Sequence, residues 1–219
     1  MKTNWYGRAG WLIMMFLATG IALFSLRFFL PDRPSVAPDI LANLVENPVT
    51  FLLHVAGGLT ALLLGPWQFL ASIRLNKPKV HRWIGRTYVL AVLIGGTTGF
   101  FVAFSSSAGP WATAGFSILA ILWLITTWFG YRRAVERRFD AHRVWMIRSF
   151  ALTAAAITLR LGLPVAPALG YEFVSGYIVM SWASWLINLG IAEWYLRATG
   201  GRQASLRPVS SPAGRPNPA

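Results

Sequence analysis

The chain has 219 residues, of which 55% are hydrophobic and only 12% are charged. A soluble domain of this length carries about a quarter charged residues, so this composition excludes a water-soluble globule. The net charge of +13 would favour nucleic acid binding in a soluble protein, but the basic residues here follow a membrane topology, and no nucleic acid partner is expected. Cysteine is absent, which excludes disulfides, thiolate metal sites and cysteine nucleophiles.

The apolar residues fall in blocks of about twenty, the length of a helix that crosses a ~30 Å hydrocarbon core. We predict an all-α membrane protein with six transmembrane helices, over residues 11–30, 51–71, 83–105, 111–131, 144–163 and 174–195. The domains expected are a cytoplasmic N-terminus (1–10), a six-helix transmembrane domain (11–197) and a disordered cytoplasmic tail (198–219). The connection between spans 1 and 2 is expected to hold a short amphipathic helix over residues 40–45.

Basic residues are distributed unevenly over the connections. Five lie around the connection between spans 2 and 3, six around that between spans 4 and 5, and six before the first span or at and after the last. The alternate connections hold only Arg33. Because loops rich in Lys and Arg stay in the cytoplasm, we predict a multi-pass protein of the bacterial inner membrane with both termini cytoplasmic. Its basic face would contact anionic lipids.

Two stretches on the cytoplasmic side have similar sequences. KVHRWIGRTYVL (79–90) and DAHRVWMIRSFAL (140–152) each hold His-Arg, then a tryptophan, a deeper arginine and an aromatic residue. Each stretch is followed by a span, an outer turn with little or no charge, and a second span. We interpret spans 3–4 and 5–6 as tandem parallel helix-hairpin repeats, related by an axis along the membrane normal.

This repeat would place His81 and His142 at one depth, both at helix N-termini, where free N–H groups favour anions. Buried cations below them need a partner. Since Glu193 is the only acid within a span, we predict that it pairs with Arg148 or Arg86. Arginines at span ends also orient the chain in the membrane and contact lipid headgroups. These two roles explain the histidines, Arg86 and Arg148 poorly, since Arg86 and Arg148 lie deeper in their spans. The predicted cytoplasm-facing site comprises His81, Arg82, Arg86, His142, Arg143, Arg148 and Glu193.

A second polar site is predicted on the outer side. His54 lies about one turn into span 2, and Arg160 lies about one turn from the outer end of span 5. Gly57 and Gly58 fall on the helix face of His54. They either leave room beside the imidazole or allow close packing of helices, which membrane proteins achieve with small residues.

Three functions are compatible with this pattern. In the first, the cytoplasm-facing site binds an anionic or redox-active small molecule, such as a lipid headgroup or a quinone. In the second, His81 and His142 are the axial ligands of a b-type haem in an electron-transfer protein. In the third, the protein is an assembly partner of another membrane complex. No metal site other than haem iron is expected, and no catalytic motif is recognisable, so enzyme activity stays open.

The two similar stretches, together with HVAGGLTALLLGPWQFL (54–70) and TLRLGLP (158–164), resemble a family of bacterial integral membrane proteins, domain of unknown function 2306. The resemblance runs from His54 to Arg197. It implies a membrane protein and supports the choice of site residues, but it implies no activity. A more distant likeness, of fold alone, is to cytochrome b561-type helical bundles. The residues that match the family pattern are His54, His81, Arg82, Gly85, Arg86, Tyr88, His142, Arg143, Trp145, Met146, Arg148, Ser149, Arg160, Glu193 and Trp194.

Overall fold

The structure, a computed structural model, describes residues 5–30 and 44–205. Within these ranges the chain is helical and contains no strand. The helices are α1 (Trp5–Ser25), a 3-10 turn (Leu26–Phe29), α2 (Pro48–Gln68), α3 (Ala71–Asn76), α4 (Pro78–Phe104), α5 (Pro110–Val135), α6 (Phe139–Thr153), α7 (Ala155–Gly162), α8 (Val165–Ala168) and α9 (Phe173–Ser205).

Six helical segments of the described chain are long and apolar enough to cross a membrane. They are Gly7–Phe29, Pro48–Gln68, Pro78–Phe104, Pro110–Val135, Phe139–Ala168 and Phe173–Thr199. The predicted all-α membrane fold with six transmembrane helices is therefore confirmed, and the protein sits in the lipid bilayer. Prolines begin α2, α4 and α5, at positions where a helix does not need the missing N–H.

Consecutive spans run in opposite directions, so the helix bundle has two ends. One end is called the basic end. It holds α3, the start of α4, the turn between α5 and α6, and the last turns of α9. The other end, with the start of α2 and the start of α9, is the opposite end. The fifth span is not one continuous helix, because α6 stops at Thr153 and the chain continues as α7 and α8.

The closest helix contact joins α2 to α4. A Cβ atom built on Gly57 would lie 2.6 Å from the carbonyl oxygen of Ala91 and 2.6 Å from the amide nitrogen of Gly95. The two backbones therefore touch, as small residues allow in membrane proteins. Gly58, the next residue, would meet nothing within 4 Å. The sequence left two roles open for these glycines, close helix packing or free space beside the helix. Gly57 packs closely against α4, and Gly58 has free space beside it.

A cluster of buried hydroxyl groups joins α4, α5 and α6 near the middle of the bundle. The Tyr88 hydroxyl lies 2.7 Å from Thr153 Oγ1 and 2.9 Å from Ser149 Oγ, and Thr127 Oγ1 lies 2.6 Å from Ser149 Oγ. Thr153 donates its proton to the Ser149 carbonyl and also accepts from Trp123 Nε1. Because each hydroxyl has one proton, Tyr88 donates to Thr153, Ser149 to Tyr88, and Thr127 to Ser149.

Two sequence expectations differ from the structure or lie outside it. The last helix, α9, continues to Ser205, so the predicted disordered tail from 198 begins with helical residues that extend the sixth span. Residues 206–219, residues 1–4, and most of the short helix predicted at 40–45 lie outside the described residues. The tandem repeat of spans 3–4 and 5–6 stays a prediction.

Candidate functional site

A cavity of about 230 Å³ lies between the helices. Its wall includes residues near the opposite end of four spans, namely Arg27, His54, Arg160 and Tyr177. From there the cavity reaches the middle of the bundle, where Thr153 lines it. Both residues of the predicted outer-side polar site therefore line one cavity.

The imidazole of His54 is fixed against α4. Its Nδ1 atom lies 2.8 Å from the carbonyl oxygen of Gly95. Gly99 makes room for the ring, since a Cβ atom there would lie 2.5 Å from Nδ1 and 2.7 Å from Cε1. A carbonyl can only accept, so Nδ1 carries the proton, and Nε2 of the neutral ring is an acceptor. No described residue forms a hydrogen bond with Nε2.

Arg160 lies on α7 and is largely buried. Its Nη1 atom donates to the carbonyl oxygen of Ala156, one turn earlier on the same helix, at 3.1 Å. None of the ion pairs found in the described residues includes Arg160. Its electrostatic neighbours are His54, Arg27 and Tyr177. The wall of the cavity therefore presents a buried cation that no protein carboxylate neutralises within the described chain.

Arg27 is a cavity residue that the sequence analysis did not select. Its guanidinium lies over the ring of Phe24, 3.9 Å from the centroid, and 5.2 Å from that of Phe28. The sequence did contain a signal that could have selected Arg27. Arg27 and Arg160 are the two arginines near the outer ends of predicted spans, and the predicted spans contain no acid near that end.

The rest of the cavity wall is mostly apolar and aromatic. Phe51, Phe116 and Trp123 contribute rings, and leucines of α2, α5 and α7 fill the space between them. At the inner end, the buried Ser184 hydroxyl has no hydrogen-bond partner among the described residues. A cleft or cavity with mostly apolar walls and a few polar groups is typical of small-molecule binding sites.

At the basic end the structure forms one of the two predicted ion pairs. Arg148 Nε lies 2.5 Å from Glu193 Oε1, and Arg148 Nη2 lies 3.1 Å from Oε2. This bidentate pair joins α6 to α9, and the Arg148 guanidinium also lies 4.9 Å from the centroid of Trp145. The predicted pairing of Glu193 with Arg148 is confirmed, and Arg148 is neutralised by the protein itself.

The two histidines of the basic end are neighbours. His81 lies close enough to His142 for like charges on the two rings to repel. His142 Nδ1 lies 2.8 Å from the carbonyl oxygen of Gly130 and donates its proton to it. The Nδ1 atom of His81 is buried and has no hydrogen-bond partner in the described chain.

The three other predicted residues of the basic end are dispersed. Arg143 Nη2 donates to the hydroxyl of Tyr195 at 3.2 Å. Arg82 and Arg86 are exposed, and Arg86 lies over Trp83 at 5.5 Å from the ring centroid. The structure thus brings together His81 with His142 and Arg148 with Glu193, and it leaves Arg82 and Arg86 at the surface.

Glu136, in the turn between α5 and α6, neutralises further arginines of the basic end. It accepts from Arg133 Nη1 at 2.6 Å and from Arg132 Nε at 2.9 Å. The hydrogen bond from Arg133 holds the pKa of the Glu136 carboxyl below its ordinary value. These arginines therefore have protein partners and do not require an external anion.

The described residues hold no group of three or more His, Asp or Glu side chains arranged to bind a metal ion. His54 lies toward the opposite end, away from His81 and His142, so the three histidines do not converge.

A family model described as predicted membrane protein (DUF2306) matches residues 51–196. The match covers more than half of the chain, and the protein belongs to this family. All the predicted residues of both polar sites lie within the matched range. No curated protein and no solved structure matches the chain.

Proposed function

We propose that this member of the family is a membrane protein that binds a small amphiphilic molecule with an anionic or quinone-like head, and that the cavity of His54 and Arg160 is the binding site. The observation that carries this proposal is Arg160, a largely buried cation in the cavity wall whose one hydrogen bond to the described residues goes to a carbonyl of its own helix. A cation inside a membrane span needs a partner, and an oxygen of a bound head group would supply it.

The size and lining of the cavity limit the ligand. Its volume of about 230 Å³ is below the ~300–1,000 Å³ of most small-molecule sites. The space therefore accommodates a compact head and not a whole long-chain lipid. Aliphatic and aromatic side chains together make most of the wall, and they favour the apolar part of such a molecule.

The orientation proposed for the protein follows from its charges. Basic residues of the chain concentrate at the basic end, which we place on the cytoplasmic side of a bacterial inner membrane. There the arginines would contact anionic lipid headgroups. In this orientation the cavity lies in the outer half of the bilayer, and both chain termini are cytoplasmic.

The experiment that tests the cavity is the recovery of bound amphiphiles from the full-length protein purified in a mild detergent. Mass spectrometry of solvent extracts is expected to find one class of amphiphile enriched with the wild type and lost from Arg160→Gln. The matched control is Arg138→Gln, which removes an exposed arginine of the basic end and is expected to retain the ligand. Equal recovery from the wild type and Arg160→Gln would contradict the proposal.

The cytoplasm-facing site remains a second candidate, with a b-type haem between His81 and His142. The observation that favours it is the hydrogen bond from His142 Nδ1 to Gly130, since a ligating histidine usually donates its other ring nitrogen to such an acceptor. His81 lacks this partner within the described chain, so His142 fits haem ligation better than His81 does.

The visible spectrum of purified protein tests this candidate: a Soret band lost in both His81→Ala and His142→Ala supports it, and a protein that stays colourless after addition of haem rejects it.

A further inference from the structure

We infer that the head group bound in the cavity is a phenol or hydroquinone, whose hydroxyl donates to Nε2 of His54 and accepts from Arg160. This inference rests on the proposed function and names the ligand class of the same site. It follows from the donors and acceptors that the cavity leaves unused.

His54 requires a donor. Its Nδ1–H is committed to the Gly95 carbonyl at 2.8 Å, and Gly99 holds that edge of the ring in contact with α4. A second proton on the ring would place a positive charge beside Arg160, its electrostatic neighbour. The neutral ring, which lines the cavity, therefore has a lone pair on Nε2 that no described residue uses. A ligand that satisfies it has to carry an O–H or N–H group.

Arg160 requires an acceptor. The guanidinium has five N–H donors and no acceptor, and one of its nitrogens bonds Ala156. The others are available to a ligand oxygen. A single hydroxyl oxygen meets both needs, because it donates its one proton to His54 and accepts from Arg160 through a lone pair.

Carboxylic acids, phosphodiesters and quinones each satisfy only one of the two residues. A carboxylic acid has an ordinary pKa of about 4, so beside an arginine it ionises and has no proton for His54. A phosphodiester headgroup is likewise anionic, and a quinone carbonyl has no proton. A phenol has an ordinary pKa of about 10 and keeps its proton at neutral pH.

The walls of the cavity also favour an aromatic ring. Phe51, Phe116 and Tyr177 line it near the opposite end, and Trp123 lines it near the middle. The rings of Phe116 and Tyr177 are 5.2 Å apart. Aromatic rings attract one another at centroid distances of about 4.5–7 Å in edge-to-face or offset arrangements, so a phenolic ring finds partners that an acyl chain does not use.

The test compares three probes on the full-length protein in detergent: 2-decylhydroquinone, its oxidised form 2-decyl-1,4-benzoquinone, and decanoic acid. The hydroquinone is kept reduced under anaerobic conditions, and binding is followed by quenching of tryptophan fluorescence. We expect the hydroquinone to bind at least roughly tenfold more tightly than the quinone, because the quinone leaves Nε2 unpaired in an apolar cavity. In His54→Leu this preference is expected to fall to about twofold or less.

The wild-type comparison of probes does not depend on whether a variant folds. Equal affinities for hydroquinone and quinone, both weakened by Arg160→Gln, would overturn this inference and leave the proposed function standing. Tightest binding of decanoate would overturn it in favour of a carboxylate head. Failure of every probe to bind, with no amphiphile recovered from the purified protein, would overturn the inference and the proposed function together.

Discussion

The two polar regions of the protein differ in how their charges are balanced. At the basic end, Arg148 is paired with Glu193 and Arg133 with Glu136, so carboxylates balance part of the positive charge there. In the cavity near the opposite end, Arg160 bonds a carbonyl of its own helix, and no described residue uses Nε2 of His54. The difference teaches that a high density of charge and polar groups without a protein partner occur in different parts of the described chain, and the proposed binding site rests on the second.

The largest expected effect separates two adjacent glycines. Gly57→Ala places a methyl group 2.6 Å from backbone atoms of α4, and such overpacking is expected to cost about 1–3 kcal/mol or more of stability. Gly58→Ala, the matched control, meets open space and is expected to change stability by less than about 0.5 kcal/mol. The midpoint of thermal unfolding in detergent, followed by circular dichroism, measures both. Equal midpoints for the two variants would contradict the backbone contact between α2 and α4.

The next prediction compares the two buried arginines directly. Glu193→Gln leaves Arg148 without its carboxylate and is expected to destabilise the protein by about 1–3 kcal/mol, less than for a fully buried pair, because these side chains keep 26% and 33% exposure. Arg160→Gln removes a cation that has no carboxylate partner in the described chain, and is expected to be neutral or stabilising without ligand.

The double variant Arg148→Gln/Glu193→Gln serves as the control for this comparison. It is expected to recover part of the loss seen in Glu193→Gln, which a double-mutant cycle on thermal unfolding measures. A larger loss in Arg160→Gln than in Glu193→Gln, measured on ligand-free protein, would reverse the contrast between the two regions.

A smaller effect is expected at the hydroxyl cluster that lies between the two regions. Tyr88→Phe removes the donor to Thr153 and the acceptor for Ser149. Leaving buried partners unpaired is expected to cost about 1–2 kcal/mol. Thermal unfolding measures this cost. Thr87→Val on the exposed face of the same helix is the control, expected to change stability little. A loss in Thr87→Val equal to that in Tyr88→Phe would show that the cluster itself adds nothing.

The smallest expected effect is a pH dependence at the basic end. The pKa of Glu136 is lowered in the folded protein by its hydrogen bond from Arg133. Its contribution to stability is therefore present above the ordinary carboxyl pKa and is lost as the pH falls through the lowered pKa of the folded state. The difference in unfolding midpoint between the wild type and Glu136→Gln is expected to be small at neutral pH and to vanish on acidification. A difference that grows on acidification would contradict this sign.

Much of the fold followed from the sequence for simple reasons. Six apolar segments of sufficient length predict six spans, because the bilayer fixes the length of a crossing helix. The pair of Arg148 and Glu193 could be predicted because Glu193 is the only acid within a predicted span. The end of α9 at Ser205 could not, since a segment rich in Gly, Pro and Ser predicts disorder after residue 197.

The cavity itself could not be predicted. Sequence periodicity places Gly57 and Gly58 on the face of His54, but whether a neighbouring backbone fills the space depends on how α2 crosses α4. The role of His54 as an acceptor likewise depends on the carbonyl of Gly95, a backbone atom with no signature in the sequence. His54 and Arg160 were recognised as polar residues within spans, and their position in one wall is a property of the packing.

The first helix has a consequence for how such proteins diverge. Ile21 and Ser25 of α1, with Arg27 and Phe28 just beyond it, line the cavity, whereas the family match begins at residue 51 and contains His54 and Arg160. In the proposed site, the residues that would bind the head group lie in the part of the chain that matches the family, and one wall is supplied by a segment outside that match. Substitutions in that segment can change the size of the molecule accepted while the pair that holds its polar end stays the same.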